Sequence, residues 1–273
     1  MRVLVTGGAG FIGSNFVRRI NDGTLPGITH VTILDKLTYS GSLYNFSELP
    51  PDNYSFVQGD ICELVVVSDL ISQVDAVVNF AAESHVDRSI SSASDFVQTN
   101  IVGVQVILDS IKVTRKDIRF LQVSTDEVYG SIDSGSWKEN MPLQPNSPYS
   151  ASKASGELLA RAYHKTHGID VVITRSSNNY GKYQFPEKLI PLFITNLIEG
   201  KKVPIYGNGS NVRDWLHVDD HCRGIYSVLF NGSPGEVYNI GGGRELTNLE
   251  ITRLILEAMG SDESAIEYVD DRK

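Results

Sequence analysis

Two adjacent carboxylates, Asp126 and Glu127, have the greatest potential for chemistry in this sequence, because they follow closely on an apolar strand candidate. Carboxyl groups that lie close together in a partly dried site split their pKa values, so one stays protonated while the other is ionised. The pair then titrates as one coupled unit. It predicts an enzyme that both donates and removes protons. The alternative is that Asp126 caps the next turn and Glu127 is solvated.

Tyr149 and Lys153 form a second chemical pair, 23 and 27 residues after Asp126. Their spacing of four places both side chains on one face of a helix. A nearby ammonium lowers the pKa of a phenol, as does an oxidised nicotinamide ring, which brings tyrosinate within reach near neutral pH. The tyrosinate can take the proton of a substrate alcohol as hydride leaves its carbon, while Thr125 or Ser124 holds the same oxygen. The alternative is a tyrosine that only begins a helix and a lysine that is solvated.

A glycine-rich loop, residues 6–13 (TGGAGFIG), joins a strand candidate to a helix that is expected to run to about Asn21. Its glycines allow a tight turn, and the helix N-terminus can bind a pyrophosphate. Asp35 ends the second strand candidate, 22 residues after Gly13, where an acid holds ribose hydroxyls and repels a 2′-phosphate. The loop therefore predicts NAD. Lys36 leaves NADP open, and a turn without a ligand is the other alternative.

Alternating strand and helix candidates must position these residues. The short β-branched runs are typical of strands that are buried on both faces of a parallel sheet. We predict strands at 3–6, 31–35, 55–58, 76–80, 119–124, 171–175 and 237–240, and helices at 94–112 and 149–167. The alternation predicts an α/β fold, a Rossmann-type doubly wound parallel sheet that binds ligands at the carboxyl ends of its strands.

The helix candidate at 94–112 carries an apolar stripe, and Phe96 and Ile107 add apolar surface beside it. This width predicts a helix that packs on the sheet and also on a second subunit.

The sequence changes character after Arg175, where loops rich in Asn, Gly, Pro and Tyr begin. We predict a Rossmann domain at 1–175, which binds NAD and carries the catalytic residues. Residues 176–273 are expected to form mainly a smaller α/β C-terminal substrate-binding lobe, from which some segments return to the Rossmann domain. The chain ends abruptly at 269–273, and we expect its C-terminal end to be incomplete.

The net charge of −9 disfavours nucleic acid and anionic membrane as partners, since both need a basic surface. Cys62 and Cys222 lie far apart and suggest neither a disulfide framework nor a zinc site. A first strand in place of a signal peptide, without a long apolar run, predicts a cytoplasmic protein. His217 and residues 219–222 could be mistaken for a metal site, but successive helical residues rarely converge, so no metal is predicted.

Five longer motifs carry information about the family to which the sequence is similar. They are AAESHVDRS at 81–89, STDEVYG at 124–130, SNNYG at 177–181, FPEKLIP at 185–191 and RDWLHVDD at 213–220. With them the chain resembles the extended short-chain dehydrogenase/reductase family and, within it, the dTDP-glucose 4,6-dehydratases. The resemblance covers essentially the whole chain. Related sugar-nucleotide epimerases lack the carboxylate pair.

The resemblance implies a reaction and a role for each catalytic residue. Tyr149 would deprotonate the glucose 4-hydroxyl while NAD⁺ takes the C4 hydride, with Thr125 and Lys153 assisting. Glu127 would then remove the C5 proton as general base, and protonated Asp126 would give its proton to the departing 6-hydroxyl. Hydride returns to C6, C5 is reprotonated, and the product is a 4-keto-6-deoxy sugar nucleotide.

The resemblance also implies the binding residues. The residues expected to contact NAD are Gly7, Gly10, Phe11, Ile12, Gly13, Asp35, Lys36, Leu37, Thr38, Asp60, Ile61, Ala81, Ala82, Thr99, Tyr149, Lys153 and Asn179. Those expected to contact the nucleotide-diphosphate sugar, dTDP-glucose, are Ser84, Thr125, Asn178, Glu187, Lys188, Leu189, Pro204, Tyr206, Arg213 and Asn248. A homodimer built from the helices at 94–112 and 149–167 is implied as well.

Three other functions stay open at this point. A UDP-sugar 4-epimerase and a UDP-glucuronate decarboxylase share the glycine loop and the tyrosine, but neither needs the carboxylate pair. A dinucleotide-sensing regulator should have lost Tyr149, Lys153 or the carboxylates, and all of them are present.

Overall fold

The computed structural model describes residues 1–50, 53–114, 117–132 and 134–270. Its strands are β1 (Arg2–Thr6), β2 (His30–Asp35), β3 (Tyr54–Gln58), β4 (Ala76–Asn79), β5 (Arg119–Thr125), β6 (Asp170–Ser176), β7 (Asn178–Tyr180), β8 (Val203–Tyr206), β9 (Val212–His217), β10 (Val237–Ile240), β11 (Glu245–Thr247) and β12 (Ile266–Val269). Its α-helices are α1 (Phe11–Asn21), α2 (Leu64–Ile71), α3 (Val86–Ser91), α4 (Ser94–Val97), α5 (Val104–Thr114), α6 (Pro148–His167), α7 (Leu189–Ile198), α8 (Val218–Asn231) and α9 (Asn248–Ala258).

Seven strands form one sheet in the order β10-β6-β5-β4-β1-β2-β3, and every pair in it is parallel. The chain leaves the centre in opposite directions from β1 and β4, which makes the gap between them the switch point where such sheets bind ligands. The Rossmann-type doubly wound fold is confirmed.

Apolar side chains cover both faces of this sheet, as the near-continuous hydrophobicity of the strands requires. One core layer, around Phe16 and Ile225, packs α1 and α8 against the first face. The other, around Leu108 and Ile111, packs α2, α5 and α6 against the second. The strands are therefore held at fixed positions, and their carboxyl ends form a stable platform.

The segment predicted as one helix at 94–112 is helical throughout, but it widens to a π-helix at Gln98–Gly103 between α4 and α5. The widened turn packs closely on α6, because a Cβ atom at Gly156 would lie 2.6 Å from the carbonyl oxygen of Asn100. Asn100 Nδ2 also donates to Ser152 Oγ at 2.9 Å. Such π-helical insertions are frequent at functional sites.

Phe96 and Ile107 do not form the additional outer surface that was expected of them. They are 3% and 0% exposed, because Ile107 lies in the sheet-facing core and Phe96 packs edge-on against Tyr149. That part of the prediction is wrong. The outer surface of this segment instead carries Val97, which is 46% exposed.

The C-terminal part adds two small sheets, β11-β9-β7 and β12-β8, around an apolar cluster that includes Phe193 and Leu256. Between them the chain returns to the large sheet, where β10 pairs in parallel with β6. None of the helices in the described ranges is long and apolar enough to cross a membrane.

Candidate active site

A cleft of about 1910 Å³ runs along the carboxyl ends of the large sheet, and the C-terminal part forms its other wall. Typical small-molecule pockets have volumes of roughly 300–1,000 Å³. The cleft therefore has room for a dinucleotide and a second ligand. All residues predicted to bind NAD or the sugar nucleotide line it, except Leu37.

The glycine loop lies at one end of the cleft, and its glycines are required by close packing. Gly7 has a φ of +66°, and a Cβ atom there would lie 2.5 Å from the Ala81 backbone nitrogen. A Cβ atom at Gly13 would lie 2.5 Å from the Gly7 carbonyl oxygen. Helix α1 begins at Phe11, directly after this turn, with Gly10 at its N-cap. Its first backbone amides and its dipole suit a pyrophosphate, so the loop fits a dinucleotide.

Asp35 holds the glycine loop in addition to facing the cleft. Its two carboxylate oxygens accept hydrogen bonds from the backbone amides of Ala9 and Leu37, both at 2.8 Å. Burial raises the pKa of this carboxyl group, and the two amides oppose the shift. Each oxygen keeps a second lone pair, which is what binding of a ribose diol requires.

Lys36, which left NADP open, is paired with Asp60 at 2.7 Å. Its charge is therefore balanced within the protein, and the site favours NAD.

Leu37 lies next to this site but does not line it. Its backbone is left-handed, with a φ of +56°, and its side chain packs against the apolar core. The left-handed turn that lets its amide reach Asp35 directs its side chain inward, so a contact of Leu37 with the cofactor stays a prediction.

The two carboxylates are carried by a tight 3₁₀ turn, Asp126–Tyr129, at the end of β5. Thr125 caps this turn, since its Oγ1 accepts a hydrogen bond from the Glu127 amide at 3.2 Å and donates to Asp126 Oδ1 at 3.3 Å. Burial and the charge of Glu127 raise the pKa of Asp126 to about 6. Asp126 can therefore hold a proton near neutral pH, as a general acid must.

Tyr149 and Lys153 approach the same point from α6. Tyr149 is 8% exposed, and its phenol lies close enough to Thr125 for that side chain to lower its pKa against the effect of burial. Lys153 is 5% exposed and donates to the Val123 carbonyl oxygen at 2.8 Å. The phenol, both carboxylates and the strand-end hydroxyl group thus surround one small volume.

The pKa values of this second pair are set mainly by burial. Burial and the charge of Glu127 raise the pKa of Tyr149, a direction opposite to the lowering expected from Lys153. Burial lowers the pKa of Lys153 to about 8, although the charge of Glu157 acts against it. The protein groups alone therefore keep Tyr149 protonated.

Asn178 and Asn179 lie on β7, opposite the glycine loop. Asn179 Nδ2 donates to the Ser177 carbonyl oxygen at 2.9 Å, and its Oδ1 pairs with His221 Nδ1 at 2.8 Å. Burial lowers the pKa of His221 to about 3, so its ring is neutral and fixes the amide of Asn179 in one orientation.

The far end of the cleft carries the residues expected to bind the nucleotide. Lys188 Nζ donates to the Ser84 carbonyl oxygen at 3.1 Å, and Arg213 lies near enough to lower the pKa of Asp126. Glu187 lines the cleft and also joins two loops, because it accepts a hydrogen bond from Tyr39 Oη at 3.2 Å. The remaining residues of this wall are Leu189, Pro204, Tyr206 and Asn248.

Several cleft residues are absent from the sequence predictions. Ser177 Oγ and Trp215 Nε1 are buried and have no hydrogen-bond partner among the described residues, so they are suited to a bound ligand. Tyr129 and Arg175 also line the cleft and are 1% exposed. A signal for Arg175 was available, because an arginine within an apolar strand must find a buried partner.

Comparison with known proteins gives a consistent result. A family model described as GDP-mannose 4,6 dehydratase matches residues 4–273. A dTDP-glucose 4,6-dehydratase of Streptomyces niveus is 58% identical over 275 residues, which cover 100% of this chain and 82% of the relative.

Solved structures agree. The dTDP-glucose 4,6-dehydratase DesIV of Streptomyces venezuelae, with NAD and dTDP bound, has a TM-score of 0.97 at 55% identity, covering 100% of this chain and 85% of that one. A Thermotoga maritima UDP-glucose 4-epimerase has a TM-score of 0.89 at 30% identity, covering 100% and 87%. Because the fold is shared with an epimerase, the reaction must be argued from the site.

Proposed function

The chain belongs to the GDP-mannose 4,6 dehydratase family, and we propose that it catalyses the NAD-dependent dehydration of dTDP-glucose to dTDP-4-keto-6-deoxyglucose. The observation that carries this proposal is the turn with Asp126 and Glu127, which Thr125 caps and which lies close enough to Tyr149 for both carboxylates to affect the phenol. An epimerase or a decarboxylase needs the tyrosine but has no use for a buried acid beside a base.

We assign the first step, oxidation at C4, to Tyr149. Its phenolate oxygen takes the proton of the sugar 4-hydroxyl, and Thr125 holds the same substrate oxygen. When bound, NAD⁺ would supply the acceptor for the C4 hydride, and the NADH so formed would supply that hydride to C6. The positive ring of NAD⁺ also provides what the protein groups do not, a lowering of the pKa of Tyr149. Lys153 supports the step from the next turn of α6.

We assign the loss of water to the two carboxylates. A ketone at C4 acidifies the C5 proton, which Glu127 removes as general base. Asp126 gives its proton to the departing 6-hydroxyl. The raised pKa of Asp126 supports this division, because the buried carboxyl beside a negative charge is the one that keeps its proton.

The substrate is a nucleotide-diphosphate sugar, and its anionic part must meet local cations because the chain carries a net charge of −9. We assign Lys188 and Arg213 to the pyrophosphate. Tyr206 and Asn248, which also line the cleft, are assigned to the base and its sugar.

The division of the chain at residue 175 is part of the same proposal. Residues 1–175 would supply the cofactor site and the catalytic groups, and 176–273 mainly the sugar-nucleotide site. The pairing of β10 with β6, and the packing of α8 on α1, support the return of segments to the first part.

We further propose a homodimer in the cytoplasm. Ile90, Val97 and Leu158 are 61%, 46% and 54% exposed, on α3, α4 and α6, which contact one another. A second subunit would cover these apolar groups. Cys62 and Cys222 are both free thiols, in keeping with a reducing compartment.

Single-turnover kinetics with dTDP-glucose test the proposal. We expect wild type to form a 4-keto-6-deoxy product, and to turn over UDP-glucose and GDP-mannose more slowly. In Glu127→Gln, absorbance at 340 nm should still report transfer of the C4 hydride, whereas product formation should fall by about 10²–10⁴-fold.

The exposed Glu257→Gln, on α9, is the matched control and should behave as wild type. A Glu127→Gln variant that binds NAD but has lost C4 oxidation would contradict the role given to Glu127. A wild-type protein that binds NAD and leaves dTDP-glucose unchanged would contradict the proposed function itself.

A further inference from the structure

A buried polar network lies directly behind the catalytic turn. Arg175, on β6, and Glu157, on α6, form an ion pair at 2.7 Å in which the side chains are 1% and 0% exposed. Two hydrogen bonds from Arg175 Nε, at 3.0 and 3.3 Å, complete a forked contact with the carboxylate. A buried ion pair is poor evidence for stability, because desolvation offsets its attraction. Its presence here calls for another explanation.

The hydroxyl group of Tyr129 is the point at which this network reaches the catalytic turn. It accepts a hydrogen bond from Arg175 Nη1 at 2.7 Å and donates one to Asn239 Oδ1, also at 2.7 Å. Asn239, on β10, is held in turn by its backbone amide, which donates to Glu139 Oε1 at 2.9 Å. One phenol oxygen thus joins β6, β10 and the segment that follows the turn.

The ring of Tyr129 is fixed as firmly as its hydroxyl group. It stacks on Trp137 with 5.1 Å between ring centroids and an interplanar angle of 8°. The Arg175 guanidinium carbon lies 4.6 Å from the ring centroid. Tyr129 also belongs to a small apolar cluster with Val128 and Ala154, which lies apart from the two cores of the sheet.

Tyr129 is the last residue of the turn that carries Asp126 and Glu127. The chain leaves this turn at Gly130, which has a φ of +88°. A Cβ atom at this position would lie 2.2 Å from the Gln144 carbonyl oxygen, so the position requires glycine. The turn is therefore held at its start by Thr125 and at its end by Tyr129. Tyr149 is carried by a different element, α6, which packs on the Tyr129 side chain through Ala154, whereas the hydrogen bonds of the Tyr129 hydroxyl group go to β6 and β10.

Resting on the proposed function, we propose that Tyr129 is a positioning residue for the elimination step. Its hydroxyl group, held between Arg175 and Asn239, fixes the turn so that both carboxylates reach the C5–C6 bond together. C4 oxidation does not require this anchor. Glu157 also acts on Lys153 directly, since its charge raises the pKa of Lys153 against the effect of burial, and this effect does not involve the Tyr129 hydroxyl group.

Tyr129→Phe tests the inference, because it removes the hydroxyl group and keeps the ring on Trp137. We expect C4 oxidation, followed at 340 nm in a single turnover of dTDP-glucose, to stay within about twofold of wild type. Elimination should slow about 10- to 100-fold, because a displacement of catalytic groups by about 1 Å slows a reaction by up to about that factor. Reduced cofactor should therefore accumulate. This split is the readout, since a merely structural role would leave the ratio of the two rates unchanged.

Tyr163→Phe is the matched control, because its hydroxyl group also donates to a partner, Asp109 Oδ1 at 2.8 Å, away from the cleft. It should leave both rates unchanged. If Tyr129→Phe fails to fold, Asn239→Ala removes the acceptor of the same hydroxyl group and should slow elimination selectively. If Tyr129→Phe slows both steps equally, or slows neither, the inference is overturned. Turnover of dTDP-glucose by wild type would still support the proposed function in that case. Failure of wild type to dehydrate dTDP-glucose would contradict both the proposed function and this inference.

Discussion

Replacement of Asp126 by asparagine should slow catalysis and stabilise the protein at the same time. The amide has nearly the shape of the carboxyl group but cannot protonate the departing 6-hydroxyl. General acid catalysis contributes about 10²–10⁴-fold, so dehydration should slow by that factor. C4 oxidation should continue, because it relies on Tyr149 and Thr125.

The gain in stability follows from the raised pKa of Asp126. The pKa is about 6 in the folded protein, against an ordinary value of 3.8, because burial and Glu127 disfavour the carboxylate. Because its pKa is raised in the folded protein, this carboxyl group lowers the free energy of unfolding as pH rises from 3.8 towards 6. Above pH 6 the full destabilisation applies. At 1.36 kcal/mol per pH unit the cost is roughly 3 kcal/mol. The hydrogen bond from Thr125 to the neutral amide oxygen is weaker, which costs about 1 kcal/mol and leaves a net gain of about 2 kcal/mol.

Urea unfolding at pH 8 measures the stability, and kcat/KM for dehydration between pH 6 and pH 8 measures the role in catalysis. The protonated fraction of Asp126 falls about 50-fold over that interval, so wild-type kcat/KM should fall with it, and the variant should lack this dependence. Asp220→Asn, in an exposed ion pair with Arg223, is the control and should change neither quantity. A variant less stable than wild type at pH 8, or one that dehydrates within threefold of wild type, would refute the reasoning.

Two further substitutions examine the cofactor site. Asp35→Ala removes the acceptor for the amides of Ala9 and Leu37 as well as a partner for ribose. Titration should show an NAD Kd about 100-fold higher, because about 3 kcal/mol of charge-assisted hydrogen bonding is lost. An unchanged Kd would contradict the placement of Asp35 at the ribose. Tyr39→Phe removes the hydrogen bond to Glu187 between two loops that line the cleft. NAD should dissociate about tenfold faster in a competitive displacement assay, because the lost hydrogen bond contributes about 1.5 kcal/mol. An unaltered dissociation rate would show that the contact does not retain the cofactor.

Local patterns in the sequence were sufficient for the large sheet and the glycine loop. Each strand of the sheet is a short apolar run, and the turn around Gly7 requires glycine for reasons that depend only on neighbouring residues and one strand. The same holds for Thr125, Asp126 and Glu127, which are consecutive, and for Tyr149 and Lys153, which share a helix face. These groups meet because parallel strands end at one edge of the sheet.

The network behind the carboxylates could not be predicted in the same way. Tyr129, Glu157, Arg175 and Asn239 are distant in the sequence and come together only when β5, β6, β10 and α6 are assembled. The inward orientation of Leu37 depends on one left-handed backbone angle, which a leucine rarely adopts. The pKa of Tyr149 depends on how completely the folded chain buries it.

The return of β10 to the large sheet constrains the order in which the protein can fold during synthesis. β6 is an edge strand, rich in valine and isoleucine, until β10 is available to pair with it. Some sixty residues separate the two strands, so a nascent chain carries an unprotected edge while the ribosome makes α7, α8 and the strands between them. A chain cut after β6 would keep that edge for good, and it would also lack Asn239. The first 175 residues therefore leave one edge of the large sheet unpaired, and that edge is covered only after β7, β8 and β9 have been synthesised.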